Sequence, residues 1–355
     1  MRNESALLVN PFDFKHIVGV EEVTLTNGLP AISARVSFDG GQSWRESWPL
    51  PGGLREGGLV APVLAVDAQG ILILAALAQD VEGSGEVLVV HRSDDGGIHW
   101  SLPETVLGGS QACCYSVAAD LNPESVFRGS VYIAAEFAGR LRLAYSRNRT
   151  LWDSHFVSEP SYNPELVVDA HGGLRAIWMT EHAGGRILLV CSTDGGNRFS
   201  PPVTVAEGVQ GTTERLPGAT LATCITREGI AVCVWADDRE GRSRIYYRRS
   251  LDGGRNWLGP GSGAPLLGGD SSAQEELQPH LIVTAHEEIC CAYYEYGPKG
   301  MPGHALVDLV MSVSYDGGET FAGRMVLSAS GWDPAAERPL SRNATRGALG
   351  WLALG

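Results

Sequence analysis

Ser37-Phe38-Asp39-Gly40-Gly41-Gln42-Ser43-Trp44 returns four more times along the chain. Its copies are Ser93-Asp94-Asp95-Gly96-Gly97-Ile98-His99-Trp100, Ser192-Thr193-Asp194-Gly195-Gly196-Asn197-Arg198-Phe199, Ser250-Leu251-Asp252-Gly253-Gly254-Arg255-Asn256-Trp257 and Ser314-Tyr315-Asp316-Gly317-Gly318-Glu319-Thr320-Phe321. In such an octapeptide the aspartate can accept hydrogen bonds from its own loop's backbone N–H groups. Gly-Gly supplies positions of positive φ, and the closing aromatic packs beneath, so each copy reads as a structural hairpin turn. A sixth, decayed copy stands at Ser146-Arg147-Asn148-Arg149-Thr150-Leu151-Trp152, with the glycines gone and the tryptophan one residue early. Intervals between the leading serines run from 46 to 64 residues. A four-stranded propeller blade of about 40 to 50 residues with loop insertions has this length.

Between boxes the grammar repeats. Ala61 to Leu74, Asn163 to Trp178 and Ala219 to Trp235 each give an apolar strand, a tight turn and a second strand. Each unit therefore reads strand, turn, strand, longer loop, strand, box, outer strand. The expected fold is all-β, a six-bladed β-propeller of four-stranded antiparallel blades in one domain over residues 1–355. Seven blades stay open, because the residues outside the first and last boxes are long for one blade and short for two. The tail Gly347-Ala348-Leu349-Gly350-Trp351-Leu352-Ala353-Leu354 reads as a strand that pairs with N-terminal strands to close the ring.

Composition agrees. Glycine is 45 of 355 residues and only 19% of the chain is charged, which excludes a coiled coil or helical bundle. The net charge of −14 repels phosphate backbones and anionic lipid, so neither nucleic acid nor membrane is an expected partner. The longest apolar run, Ile71 to Ala78, is far short of the roughly 20 residues that cross a bilayer. The N-terminus shows no signal-like apolar region, so the chain as given reads as cytoplasmic; a secreted chain stripped of its signal would read the same. Seven cysteines include the vicinal pairs Cys113-Cys114 and Cys290-Cys291 without a Cys-x-x-Cys spacing, and are expected to be buried, reduced strand residues.

Ser-x-Asp-Gly-Gly-x-x-Trp/Phe boxes at blade spacing resemble the Asp-box, or BNR, repeats of the sialidase (neuraminidase) superfamily. Asp boxes also occur in xyloglucanases, sortilin-type receptors, photosystem assembly factors and propellers without known catalysis. The resemblance implies an arginine triad on the substrate carboxylate, a tyrosine nucleophile activated by glutamate, and an aspartate acid/base. The family's Arg-Ile-Pro opening is absent from Leu7 to His16. Its nearest match is Glu214-Arg215-Leu216-Pro217, followed by Trp235-Ala236-Asp237-Asp238-Arg239 and Arg248-Arg249-Ser250. That run sits in the fifth unit: either the fold is circularly permuted, or this is the generic blade consensus.

Propeller function concentrates at the mouth of the central channel. Loops between second and third strands carry Glu136, Glu181-His182, Asp237-Asp238-Arg239, Tyr294-Glu295-Tyr296 and His304. Starts of the first strands carry Arg55-Glu56, Tyr115, Tyr162, Glu214-Arg215, Glu276, Gln278 to His280 and Arg342. The expected catalytic set is Asp238, Arg215, Arg239, Glu181, Tyr296 and Glu295. The expected substrate-binding set is Arg55, Tyr115, Tyr162, Glu136, His182, Glu276, His280, His304 and Arg342. Recurring carboxylates at one blade position suit an acid/base pair, and the alternative is that they are solvated loop residues. Glu295 cannot pair directly with Tyr294 or Tyr296 within a strand, because neighbours point to opposite faces. Glu181, His182, Glu295 and His304 could also ligate a metal, but without a His-x-His motif no metal or other cofactor is expected. The leading expectation is a sialidase-like propeller that takes a glycan or polar small molecule in its central pocket and hydrolyses a glycosidic bond. The alternatives are a non-catalytic scaffold, marked by an exposed apolar patch, and a propeller recruited for unrelated small-molecule chemistry. Substrate identity and oligomeric state are not encoded in these motifs.

Overall fold

A computed structural model describes residues 5–26, 28–48, 58–79, 86–108, 112–137, 139–147, 151–158, 162–180, 183–210, 221–268, 274–298 and 305–331. These residues are all-β, and every sheet is a four-stranded antiparallel meander of consecutive strands. The first sheet is β1 (Ser5–Val9), β2 (Ile17–Thr24), β3 (Pro30–Ser37) and β4 (Arg45–Ser47). The second is β5 (Leu59–Val66), β6 (Leu72–Gln79), β7 (Glu86–Ser93) and β8 (Glu104–Leu107), and the third β9 (Ala112–Ala119), β10 (Val131–Phe137), β11 (Arg140–Ser146) and β12 (Asp153–Ser158). The fourth is β13 (Tyr162–Val168), β14 (Leu174–Met179), β15 (Ala183–Ser192) and β16 (Val203–Gln210). The fifth is β17 (Leu221–Ile225), β18 (Ala231–Asp237), β19 (Arg244–Ser250) and β20 (Ala264–Pro265), and the sixth β21 (Glu275–Val283), β22 (Ile289–Pro298), β23 (Ala305–Ser314) and β24 (Ala322–Val326).

Six blades, not seven, make up this propeller. Its first and last sheets are each complete from contiguous strands. The tail Gly347 to Leu354 lies outside the described residues, as do Asn148 to Thr150 of the decayed box. Two compact units are distinguished, one drawn from Met1–Leu174 with Ser192–Phe199, the other from Arg175–Cys191 with Ser200–Arg346.

Most second strands are buried along both faces. Leu72 to Ala78 in β6, β10 and β18 expose almost nothing, which is why their sequences are largely apolar runs rather than alternations; β2, by contrast, alternates. Among last strands, β4 and β20 are only three and two residues long and β24 is exposed throughout. Faces of successive sheets supply the core: Ile73, Leu77 and Leu88 of the second sheet pack with Val131, Ile133 and Ala135 of the third. Val232, Val234 and Ile245 of the fifth pack with Ile289, Cys291 and Val310 of the sixth.

All five complete boxes share one hydrogen-bond pattern. The leading serine, buried in each, donates to its aspartate at 2.7–2.9 Å. It accepts the N–H of the second glycine at 2.7–2.9 Å. The aspartate accepts a further backbone N–H four residues on at 2.8–2.9 Å. In four of the boxes, all but the first, the second glycine also abuts the preceding sheet. A Cβ on Gly97 would lie 2.9 Å from Val36, one on Gly196 3.0 Å from Leu143, and one on Gly318, at φ +77°, 2.5 Å from Val232. Trp100 reaches across as well, donating to Ser47 at 3.2 Å.

A second recurring device sits in first strands. Ala61, Asn163 and Gln278 take positive φ values of 54°, 48° and 50°, and each precedes a proline. In β5 and β21 the pairing slips by one residue there, between Val60 and Val63 and between Leu277 and His280. Proline has no N–H to give a ladder, so within a strand it belongs at such a bulge.

Three tests follow from the boxes. Ser250→Ala strips the buried N–H of Gly254 of its acceptor and is expected to cost about 1–3 kcal/mol in urea unfolding. Gly318→Ala, strained in φ and clashing with Val232, is expected to cost more than Gly229→Ala, which has positive φ but open space; equal losses would refute the close-approach argument. The hydroxyl and amide of Ser43 hold the Asp39 carboxyl at about 2, below the ordinary 3.8. Slight desolvation at Asp316 is outweighed by the hydroxyl and amide of Thr320, again giving about 2. Unfolded chains thus bind more protons than folded ones between these values. The box contribution is complete above about pH 4 and lost as pH falls through about 2. Urea midpoints should decline across that window, and less steeply in an Asp39→Asn, Asp316→Asn double variant.

Candidate functional site

In the first unit, Tyr115 on β9 and Tyr162 on β13 are half-buried at the start of their sheets, and Glu136 is buried near the end of β10. The hydroxyl of Tyr115 donates to the bulged carbonyl of Ala61 and lies 3.3 Å from Ala75 O. It therefore pins the strained bulge of β5. The neighbouring Ser116 hydroxyl accepts the N–H of Leu166 at 3.1 Å, fixing the corresponding stretch of β13.

In the second unit, Asp237 closes β18, Asp238 follows it and Arg239 opens the turn. Asp237 is fully buried. It accepts the Arg239 N–H at 2.9 Å, the Trp235 indole N–H at 3.2 Å, and the Arg239 guanidinium. The same guanidinium lies 4.1 Å over the Tyr246 ring and donates to Ser262 O at 2.8 Å. Arg239 is thus engaged in holding its own hairpin rather than extended toward a ligand. Tyr246, 3% exposed, donates to Glu240 at 2.8 Å; burial, then the Glu240 carboxylate, pushes its hydroxyl up to about 12. This tyrosine–glutamate contact escaped the sequence reading, because it depends on how the β18–β19 hairpin folds its turn back over β19. Asp238 donates its N–H to Gln210 O at 2.8 Å.

Three carboxyls line up in register across the sixth sheet: Glu276 opposite Glu295, and Glu295 opposite Asp308. All are buried, and each is handled differently. Arg324 grips Glu295 with two donors, Nε to Oε1 at 2.7 Å and Nη2 to Oε2. Glu276 accepts the Ile245 N–H at 2.8 Å, and burial raises its carboxyl above the ordinary carboxylate range. Asp308 accepts the Ser328 hydroxyl at 2.9 Å. Because β22 runs on to Pro298, Tyr294 and Tyr296 are strand residues, not loop residues, on the face opposite Glu295. His280 follows the bulge of β21, and burial pushes its imidazole down to about 4.

Arg324 was missed by the sequence reading; it lies on an outer strand with no motif, and only the register of β22 to β24 brings it to Glu295. Arg55, Glu181, His182, Arg215, His304 and Arg342 lie outside the described residues. Among the described residues no group of three or more His, Cys, Asp or Glu side chains could hold a metal ion. Cys290 and Cys291 do not bridge each other, and burial raises the Cys224 thiol to about 12, away from thiolate chemistry.

No family model and no curated protein matches the chain. Solved structures do. A leech intramolecular trans-sialidase aligns over 82% of this chain and 64% of its own, with TM-score 0.54 and 12% identity. The intramolecular trans-sialidase of Ruminococcus gnavus, in complex with oseltamivir carboxylate, aligns over 82% and 89%, with TM-score 0.55 and 12% identity. An α-L-arabinofuranosidase of Fusarium graminearum, in complex with an iminosugar inhibitor, aligns over 82% and 87%, with TM-score 0.51 and 12% identity. The fold is that of a sialidase-like β-propeller. This chain spans just under two thirds of the leech enzyme's length.

Arg324→Ala leaves a carboxylate, 2% exposed, without its counter-ion. Breaking a buried pair costs roughly 3–5 kcal/mol, discounted here to about 2–3 because the Arg324 side chain is 41% exposed. Arg324→Met with Glu295→Leu should recover most of it. A loss below about 1 kcal/mol in Arg324→Ala would mean that water solvates Glu295. Glu276, its pKa raised by folding, loses stability for the fold as pH climbs above the ordinary 4.5. Glu276→Gln should flatten that part of the stability–pH curve.

Proposed function

We propose that this protein is a glycan-acting propeller that binds a saccharide and hydrolyses a glycosidic bond. The observation that carries the reading is the likeness of its blades, over four fifths of the chain, to two trans-sialidases and an arabinofuranosidase. Polar and aromatic side chains at the starts of first strands support it: Tyr115 and Tyr162 in one unit, His280 in the other. Arg239 is occupied by Asp237, so an arginine clamp on a sugar carboxylate would fall to Arg55, Arg215 or Arg342. A panel of fluorogenic glycosides, sialosides and arabinofuranosides included, together with a glycan array, tests the reading. Turnover or binding of at least one saccharide is expected, with a loss of about tenfold to a thousandfold in Arg215→Ala or Asp238→Asn. A blank panel and a blank array would sink it.

A second reading has one observation in its favour. The first sheet exposes Phe12, Phe14, Phe38, Trp44 and Trp48, and a groove of about 380 Å³ there is lined by Leu7, Val20, Glu21, Arg35 and Trp44. Such a patch suits a protein-docking scaffold. Sedimentation equilibrium of the wild type against a Phe14→Ser, Trp44→Ser variant checks the form of this reading in which the partner is a second copy.

A further inference from the structure

Strand β13 opens Tyr162-Asn163-Pro164-Glu165-Leu166. Asn163 holds a left-handed backbone conformation, Pro164 offers no N–H, and the N–H of Leu166 is caught by the Ser116 hydroxyl of β9. The backbone on both sides of Glu165 is thereby fixed. The positive φ before proline recurs in β5 and β21, where the pairing slips at that step and Val63 and His280 follow the proline. An isopropyl group, a carboxyl and an imidazole at one backbone position do not answer one packing requirement. The device presents a side chain and leaves its chemistry open; bulges and strained residues gather where side chains are aimed at ligands.

Glu165 differs from the other inward carboxyls. Glu295 is gripped by Arg324, Glu276 takes the Ile245 N–H, and Asp308 takes the Ser328 hydroxyl. Glu165 is half-buried and has neither a hydrogen-bond nor an ion-pair partner among the described residues. Among the described side chains, the titratable groups on the elements packed against β13 are Tyr115 of β9 and Tyr132 and Glu136 of β10. On its own sheet, Arg175 of β14 is turned to Gly253 O. None of them offsets the burial, which raises the Glu165 carboxyl to about 8. A half-buried carboxyl that is protonated near neutrality and uncommitted among the described residues is what a proton donor requires.

We propose that Glu165 is a catalytic acid of this propeller, presented by the strained Asn163-Pro164 step to donate its proton to the leaving oxygen of a glycosidic bond. As the anomeric C–O bond breaks, that oxygen keeps the Glu165 proton. Water supplies hydroxyl to the anomeric carbon, and its remaining proton returns through solvent to the Glu165 carboxylate. The inference rests on the glycan-acting reading.

Two measurements test it. Carbon-13 titration of glutamate-labelled wild type, assigned by the signal lost in Glu165→Gln, should show one carboxyl titrating near 8. In parallel, Glu165→Gln is assayed on glycosides with dinitrophenyl and with methyl leaving groups. A loss of about a hundredfold or more on the methyl glycoside, with less than about tenfold on the activated one, is expected of a missing proton donor. The alkaline limb of the wild-type pH–rate profile should vanish in the variant. Equal losses on both substrates, no loss on either, or a Glu165 carboxyl titrating at the ordinary value would overturn the assignment while leaving the glycan-acting reading in place. A wild type that hydrolyses neither glycoside would overturn both.

Discussion

The propeller depends on the approach of box turns to the sheets before them, made by four of the five complete boxes. A methyl group on the second glycine of those boxes would lie 2.5–3.1 Å from Val36, Leu143, Leu189 or Val232. Positive φ disfavours a side chain there as well, and none of the five complete boxes has one. The same glycine's N–H is held by the buried serine that also binds the box aspartate. One octapeptide thus closes its own hairpin and sets its distance to the next sheet. Burial of second strands such as β6 and β18 depends on that distance, because their apolar side chains need a neighbour on both faces.

Against this frame the carboxylates divide by what the frame does to them. Box aspartates sit at the surface among N–H and hydroxyl donors, which stabilise the anion and lower its pKa. Carboxyls on the inner sheet faces lose water instead, and each needs its own remedy. Glu295 is met by a guanidinium, Glu276 by a backbone N–H, its pKa still raised by burial, and Asp237 by Arg239 and an indole N–H. Side chains so committed brace the fold, which is how Glu295 and Arg239 behave.

The boxes, the blade count and the strand order were legible in the sequence because each rests on local chemistry repeated at fixed intervals. A turn needs its glycines and its aspartate within eight residues, and nothing distant alters that. Arg324 with Glu295, and Tyr246 with Glu240, were not legible, since both contacts are set by register or by the path of a hairpin. The role of Arg239 was half-visible. Trp235-x-Asp237-x-Arg239 is a local pattern, and the hydrogen bonds from Trp235 and Arg239 to Asp237 stay within it. The bulges escaped notice for a different reason. Positive φ at alanine, asparagine or glutamine before proline runs against ordinary backbone preference, so no propensity announces it, and Tyr115 on another sheet supplies part of its support.

Those bulges resolve a conflict built into first strands. A first strand must keep its alternation in step with the second strand, or its apolar set turns the wrong way. A residue meant to face a ligand needs an orientation independent of that alternation. One extra residue at an X-Pro step satisfies both demands: the ladder resumes in phase beyond it, and the residue after proline is re-aimed. Packing then no longer dictates that side chain, which is why Val63, Glu165 and His280 can occupy equivalent places with unrelated chemistry. A carboxyl there is free to remain without an internal partner, and its cost of desolvation is met by holding a proton.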